Sequence, residues 1–384
     1  MGNNILVTGG AGYIGAQTCK ALYKAGYTPV TIDNLVYGHR SAVRWGPFVE
    51  GDLADEELLC QVMHEYKVQA VMHFAAYAYV GESVQSPGKY FSNNVTNTIN
   101  LLNAMVCCGV RNIVFSSSCS TYGLPRQIPI AEDHPQKPIN PYGESKLFIE
   151  KALSWYSNAN LLESVSLRYF NAAGADLEGE SGEEHFPETH LIPLVIESAF
   201  TTQDQVQIWG TDYNTQDGTA IRDYIHVTDL AAAHIKALDY LLAGGTCIAL
   251  NLGTGKGYSV REVINMVEDV SGYKINVKEA SRRNGDPPTL VAQYDLAKEL
   301  LNWEPQCSDL RNIITTACQW YKKQHEDFSN PKTESTVDKF FQTANEVSSS
   351  QPEFYHLHPD RKPRRIKQKF KHSLSRNKSR NILD

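Results

Sequence analysis

The sequence predicts an α/β fold, a doubly wound parallel sheet followed by a smaller C-terminal α/β unit, and three observations predict it. Short apolar runs alternate with helical patterns from residue 5 onward, the order that builds β-α-β crossovers. Runs such as Ile5-Leu6-Val7 and Ile113-Val114-Phe115 are continuously apolar, as strands covered on both faces must be. A glycine-rich turn joins the first run to the first helical pattern.

In order, residues 5–8 read as a buried strand and 13–25 as a helix ended by Gly26. Residues 29–33, 48–52 and 69–75 read as the next three strands, and 90–108 as a long helix. A fifth strand over 112–118, a helix over 142–156 and a sixth strand over 164–171 complete the pattern. After residue 172 it turns irregular, with Gly/Glu-rich loops. Residues 1–172 are therefore expected to form the first unit and 173–328 a smaller one, with ligand in the cleft between them. A helix over 229–242 should pack back on the first unit, and 310–324 reads as the last helix.

Composition narrows the class. With 42% hydrophobic and 21% charged residues the 384-residue chain has globular proportions. Its eight cysteines are scattered, with only Cys107 and Cys108 adjacent. No Cys/His spacing suggests a metal, so reduced thiols and no metal are expected. Residues 1–4 run directly into the first strand without a signal-peptide pattern. Leu6 stands where a myristoylation motif needs Ser or Thr. No apolar run approaches the roughly 20 residues of a membrane span; a soluble, cytoplasmic protein is expected.

The formal net charge is −7, yet residues 331–384 hold 12 Lys/Arg against 6 Asp/Glu. The preceding chain is thus more acidic than the whole, and any phosphate it binds must be met by local groups. From residue 329 the composition of Ser, Pro, Lys and Arg reads as a disordered basic tail, with ten Lys/Arg and no acid between 361 and 380. A solvated end and attachment to an anionic membrane or nucleic acid both stay open for it. Truncation after residue 330, with assays of activity and salt-sensitive lipid or RNA binding, separates them.

The turn Gly9-Gly10-Ala11-Gly12-Tyr13-Ile14-Gly15 lies between the first strand and the first helix. Glycines there let the backbone approach a pyrophosphate, which sits on the helix N-terminus. Alone the motif is weak. Its weight comes from Asp33, which ends the next strand 18 residues beyond Gly15. A carboxylate there accepts bonds from adenosine ribose hydroxyls and repels a 2′-phosphate, selecting NAD over NADP. Asp52-Leu53, ending the third strand, suits the adenine edge.

Tyr142 and Lys146 stand at i and i+4, stacked on one helix face. The pattern is common by chance, but this helix follows Ser116-Ser117-Ser118, the end of the fifth strand, where ligands bind in open α/β sheets. To act as a base near neutral pH a phenol must lose roughly 3 pKa units, about 4 kcal/mol. The Lys146 ammonium and the charge of oxidised NAD are the expected sources. Ser118 would share the hydrogen bond to the reacting hydroxyl.

These residues carry a resemblance. GGAGYIG, HFAAYAYVGES from His73, SSSCSTYG from Ser116 and NPYGESK from Asn140 occur in order, followed by LRYFNAAGAD from Leu167, GTAIRDYIHVTDLAAAH from Gly218 and RRNGDPP from Arg282. Over residues 4 to about 324 the chain resembles the UDP-glucose 4-epimerase and UDP-arabinose 4-epimerase family of extended short-chain dehydrogenase/reductases, which implies a Rossmann-type first unit. It implies NAD contacts at Gly9, Gly12, Tyr13, Ile14 and Gly15, at Asp33, Asn34, Leu35 and Gly38, and at Asp52 and Leu53. Further contacts fall on Phe74, Ala75, Ala76, Asn93, Tyr142, Lys146 and Phe170. For a UDP-sugar it implies Ser118, Tyr142 and Asn171 at the sugar, with His190 nearby, and Gln207, Ile208 and Trp209 at the uracil. Arg222 and Arg283 fall at the diphosphate, Asp286 at the ribose and Leu290 beside the sugar. A homodimer is also implied.

Three positions depart from the enterobacterial pattern. Ala78 replaces a Lys, His190 an Asn, and Leu290 stands between the Tyr that favours UDP-glucose and the small residues that admit N-acetyl sugars. HFAAYAYVGES and INPYGESK lean toward the arabinose type, PETHLIP from Pro187 toward the glucose type. The implied reaction is inversion at C4 through a transient ketone. Related dehydratases and decarboxylases place an acid where this chain has Cys119 and Ser120. A non-catalytic NAD-binding regulator would not need Ser118, Tyr142 and Lys146 together.

Overall fold

The computed structural model describes residues 3–201, 205–283 and 285–326, and the basic tail anticipated from residue 329 lies outside them. Six parallel strands come from the first half: β1 (Asn4–Thr8), β2 (Thr28–Asp33), β3 (Phe48–Glu50), β4 (Ala70–His73), β5 (Asn112–Ser118) and β6 (Glu163–Tyr169). Between them run α1 (Tyr13–Lys24), α2 (Glu56–Glu65), α3 (Val80–Gln85), α4 (Pro87–Tyr90), α5 (Asn97–Cys108) and α6 (Pro141–Asn158). Then follow β7 (Asn171–Ala173), α7 (Leu191–Phe200), β8 (Val206–Trp209), β9 (Ile221–His226), α8 (Val227–Leu242) and β10 (Ile248–Leu252). The last elements are β11 (Gly257–Ser259), α9 (Val260–Ser271), β12 (Val277–Ala280), β13 (Thr289–Leu290), α10 (Asp295–Leu301) and α11 (Leu310–Glu326).

The main sheet has the order β10-β6-β5-β4-β1-β2-β3. Alternation along each strand divides its side chains between two layers. Ile5 and Val7 join Cys19 and Leu22 of α1 and Leu230, Ala233 and Leu238 of α8. Leu6 on the opposite face joins Leu59 of α2, Leu101 of α5 and Ile149 of α6. α8 thus packs on the first sheet, and the seventh strand, β10, comes from beyond residue 172, so this sheet is not continuous in sequence.

Two sequence-predicted elements change, and one helix is added. α2 was not anticipated; Asp55 caps it by accepting the Leu58 N–H at 2.9 Å. The helix expected over 90–108 is broken by a π-helical turn, Phe91–Thr96. There the fully buried Asn94 exchanges bonds with the Tyr77 backbone, at 2.9 and 3.0 Å, and donates to Ser145 of α6 at 3.1 Å. A side chain anchored in this way accounts for the widened turn. The strand expected over 164–171 divides: β6 stops at Tyr169, and Asn171–Ala173 pairs instead with β9. Phe170, at the joint, is thereby set between two sheets.

β9 is the centre of the second sheet, paired with β7, β11 and β13. α7, α9 and α11 pack together through Val195, Ile196, Val263, Val267 and Ile314. The two sheets are tied by Asp223 of β9, which is fully buried. Its carboxylate accepts from Thr254 N and Oγ1 at 2.9 and 2.7 Å, Gly255 N at 3.1 Å and Ala292 N at 3.1 Å. Asp223→Ala leaves these donors unpaired and is expected to cost about 3 kcal/mol, read as a lower urea midpoint at unchanged slope.

Candidate functional site

A cavity of about 1770 Å³ opens at the C-terminal ends of the main-sheet strands and continues to β8 and β9. Of the cofactor and substrate contacts implied above, Leu35 and Ile208 alone do not line it. Ile208 lies on the buried face of β8. Its side chain is buried with Val195 and Val263, because strand alternation turns Gln207 and Trp209 outward instead. Leu35 contributes its backbone, donating to Asp33 Oδ1 at 2.9 Å.

At one end the glycine-rich turn meets the N-terminus of α1. Gly9 has φ +72°, and a Cβ on Gly15 would fall 2.2 Å from the Gly9 carbonyl oxygen. Only glycines permit this packing. Gly12 caps α1 without a side-chain acceptor, so the first N–H groups of the helix are available to an anion. Asp33 holds the turn by accepting from Ala11 N at 3.0 Å. A Cβ on Gly38 would stand 2.9 Å from both Asp33 oxygens, so this glycine keeps open the space above the carboxylate. Asp52 accepts from Asn34 and Asn97 at 2.7 and 3.1 Å. Open backbone donors beside a carboxylate kept clear by a missing Cβ fit a pyrophosphate followed by a ribose diol.

The middle wall is the junction of β5 and α6. Pro141 opens the helix, and Asn140 caps it by accepting the Gly143 N–H at 2.8 Å. A Cβ on Gly143 would lie 2.5 Å from the Ser120 carbonyl oxygen, so glycine allows α6 to approach β5 closely. The Tyr142 phenol and the Ser118 hydroxyl line the same wall, close enough for Ser118 to favour the phenolate. Lys146 donates to the Ser116 carbonyl at 2.7 Å, its Nζ 5.8 Å from the Tyr142 ring centroid.

The acid shift expected of the phenol draws on Lys146 and the charge of oxidised NAD together, and the residues of the chain alone do not supply it. Burial pushes Tyr142 up to about 12, outweighing the effect of Ser118. Burial also brings Lys146 down to about 7, although the Glu150 charge opposes this. Desolvation disfavours both charged forms, so Lys146 by itself does not acidify the phenol.

At the far end Arg222 pairs with Asp286, and the Arg283 guanidinium lies 5.1 Å from the Trp209 ring centroid. Asn171 donates to the Asp223 carbonyl at 3.2 Å. Leu290 packs against the cluster of Phe170 and Tyr122. His190, at the start of α7, has its Nδ1 2.6 Å from Glu183 and 3.3 Å from Glu188. Burial opposes its charge, but the two carboxylates prevail and raise it to about 10.

The sequence profile described as the NAD dependent epimerase/dehydratase family matches residues 5–253. The chain belongs to that family. It is 50% identical over 325 residues to UDP-glucose 4-epimerase of Rhizobium leguminosarum bv. trifolii, covering 85% of this chain and 99% of that protein. Among solved structures, UDP-glucose 4-epimerase of Brucella ovis in complex with NAD superposes with TM-score 0.81 at 52% identity, over 83% of this chain and 98% of that one. The Stenotrophomonas maltophila UDP-glucose 4-epimerase, with bound NAD and formylated UDP-arabinopyranose, gives 0.82 at 37% identity, over 84% and 99%.

Two features of this family member's cavity escaped the sequence reading. The paired Glu183 and Glu188 around His190 left a signal, the close alternation of acids and histidines in 183–190. The role of Gly143 left none, since its need depends on Ser120 across the junction. Among the described residues, two groups have metal-ligand spacing. In one, His185 and His190 already pair with Glu183 and Glu188. In the other, Lys20 sits within 3.0 Å of Asp176, Glu178 and Glu180.

Gly38→Ala is expected to weaken dinucleotide affinity about tenfold or more, by displacing roughly one hydrogen-bonded diol, and to lower melting modestly, since its Cβ also meets Ala11 at 2.9 Å; calorimetry on the ligand-free protein checks both. In an ultraviolet titration of NAD-free protein, the difference between the native chain and Tyr142→Phe should show no Tyr142 phenolate below about pH 10, because burial holds the phenol near 12.

Proposed function

We propose that this protein is an NAD-dependent UDP-sugar 4-epimerase, interconverting UDP-glucose and UDP-galactose through a transient 4-keto sugar. The observation that carries the reading is one wall holding Ser118, Tyr142 and Lys146, between a dinucleotide cradle and an arginine-bearing end of the same cavity. The glycine turn, Asp33 and Asp52 hold the adenosine and pyrophosphate of NAD, and Phe74 to Ala76, Asn93, Lys146 and Phe170 its nicotinamide half. NAD, when bound, supplies the acceptor and later the donor of the C4 hydride, and its positive charge.

The residues of the chain do the rest. Arg222 and Arg283 meet the diphosphate, and they suffice locally in an acidic protein. His190, kept cationic by Glu183 and Glu188, adds a donor on the same side. Trp209 and Gln207 flank the uracil, and Asp286 holds the ribose. With the uridine end fixed, Tyr142 and Ser118 are set at the C4 hydroxyl. Tyr142 takes the proton through Ser118, and the charge of Lys146 stabilises the phenolate once a second positive charge shares the cavity. The ketone turns about its diphosphate tether and presents its other face; Tyr142 then returns the proton.

Cys119, whose thiol burial pushes to about 12, and Ser120 stand where a dehydratase needs an acid, which supports epimerisation over elimination. Phe148 and Trp155 on α6, 54% and 73% exposed, support a homodimer through this face. No helix among the described residues is long and apolar enough to cross a membrane. The eight free cysteines support a reducing compartment such as the cytoplasm, and the proposed conversion of UDP-galactose supports a place in galactose metabolism. We assign NAD to the main-sheet unit and the UDP-sugar to the unit around β9.

Purified protein incubated separately with UDP-glucose, UDP-xylose and UDP-N-acetylglucosamine should yield UDP-galactose from the first. The other two reveal whether Leu290 admits pentose or N-acetyl sugars. Tyr142→Phe should lower turnover about 10³-fold with UDP affinity retained; near-native turnover would remove Tyr142 from the reaction.

A further inference from the structure

Three successive residues of β5 meet three successive turns of α6. Ser118 faces Tyr142 across the same wall, the Ser116 carbonyl accepts from Lys146 at 2.7 Å, and the Ser117 hydroxyl donates to Glu150. The first two belong to the proposed reaction. The third has no part in it, yet it is the most heavily built. Glu150 is buried, and its carboxylate also accepts from Arg168 Nη2 at 2.7 Å, Arg168 Nε at 3.0 Å and Gln136 at 2.9 Å. Ser117 and Arg168 are register partners on β5 and β6, so a single helix carboxylate bridges two strands. Arg168 continues to Tyr122 Oη at 2.9 Å, and Tyr122 to Asn251 of β10 at 2.7 Å.

An ion pair this buried is seldom a net source of stability. Its position suggests another use. Glu150 lies four residues beyond Lys146, hence on the same helix face, and a buried ammonium has few ways to remain charged.

We propose that Glu150 is a positioning residue for the epimerase reaction, fixing the register of α6 on β5 and supplying the negative charge on which the Lys146 ammonium depends. The proposal rests on the assignment of Tyr142 and Lys146 to the chemistry. Other groups facing the pair do not supply that charge. From β4, His73 is held neutral by burial, which brings it down to about 3. Following β5, the Cys119 thiol is pushed up by burial. From β6, Tyr169 is pushed up by burial and Arg168 is a cation. On α3 and α4, Glu82 is already paired with Lys89 at 2.6 Å. Glu150 is the charge that raises Lys146 against desolvation.

The test is the pH profile of kcat for the NAD-loaded, full-length enzyme with UDP-galactose. Without the carboxylate, Lys146 gives up its proton more readily, the phenolate loses support, and the base gains a proton at higher pH. Glu150→Gln should therefore move the acid limb upward by about one pH unit and lower kcat at pH 7 about tenfold, with KM nearly unchanged. Glu150→Asp, which keeps the charge, should leave the limb near its native position. Since Glu150→Gln strands the Arg168 charge and can fail to fold, the double variant Glu150→Gln/Arg168→Gln provides the same reading with no unpaired ion. An unmoved limb in whichever of these folds, or an equal shift in Glu150→Asp, overturns the proposal. Tyr142→Phe, assayed in parallel, keeps the two readings apart: inactivity there with an unmoved limb here defeats the role of Glu150 alone.

Discussion

The chemistry of this protein depends on how closely α6 lies against the end of β5. A helix packed on a sheet at ordinary distance would leave Tyr142 out of reach of Ser118. Here Gly143, with no Cβ to meet the Ser120 carbonyl, lets the first turn approach, and Asn140 fixes where that turn begins. Further along the helix, Lys146 and Glu150 take their partners from the same strand. The phenol, the ammonium and the serine hydroxyl are thus held by one rigid junction, which suits a reaction that must remove a proton and restore it on an inverted centre.

That junction is costly in electrostatic terms. Burial opposes the phenolate and the ammonium alike. The protein offers a carboxylate behind the lysine and leaves the front of the cavity for ligand charges. The substrate end follows the same economy of local charge. Arg222, Arg283 and His190 are each braced, by Asp286, by the Trp209 ring and by Glu183 with Glu188. In a chain whose formal charge is −7, these braced side chains are local sources of positive charge within the cavity.

The joint at Phe170 gives the cavity its second half. Leaving the main sheet after Tyr169, the chain pairs Asn171–Ala173 with β9, and β10 later returns to the main sheet beside β6. Asp223 secures this crossing. The two sheets are therefore linked through the elements that carry Ser118, Asn171 and Arg222, which line one cavity.

The sequence by itself determined the parallel sheet, the glycine turn with Asp33, and the Tyr142–Lys146 pair. Each rests on spacing within a few residues: continuous apolar runs, a strand-turn-helix order, and helical i, i+4 geometry. The tertiary structure alone decided the π-helical turn, the split of the sixth strand, the return of β10 and the burial of Ile208. It also set the direction of the Tyr142 shift, since desolvation is a property of what surrounds a side chain and not of its neighbours in sequence. Asn94 widens its helix because of Tyr77 and Ser145, and Phe170 ends its strand because β9 takes up the next residues. Partners this distant along the chain leave no periodic trace, so only the folded molecule brings them together.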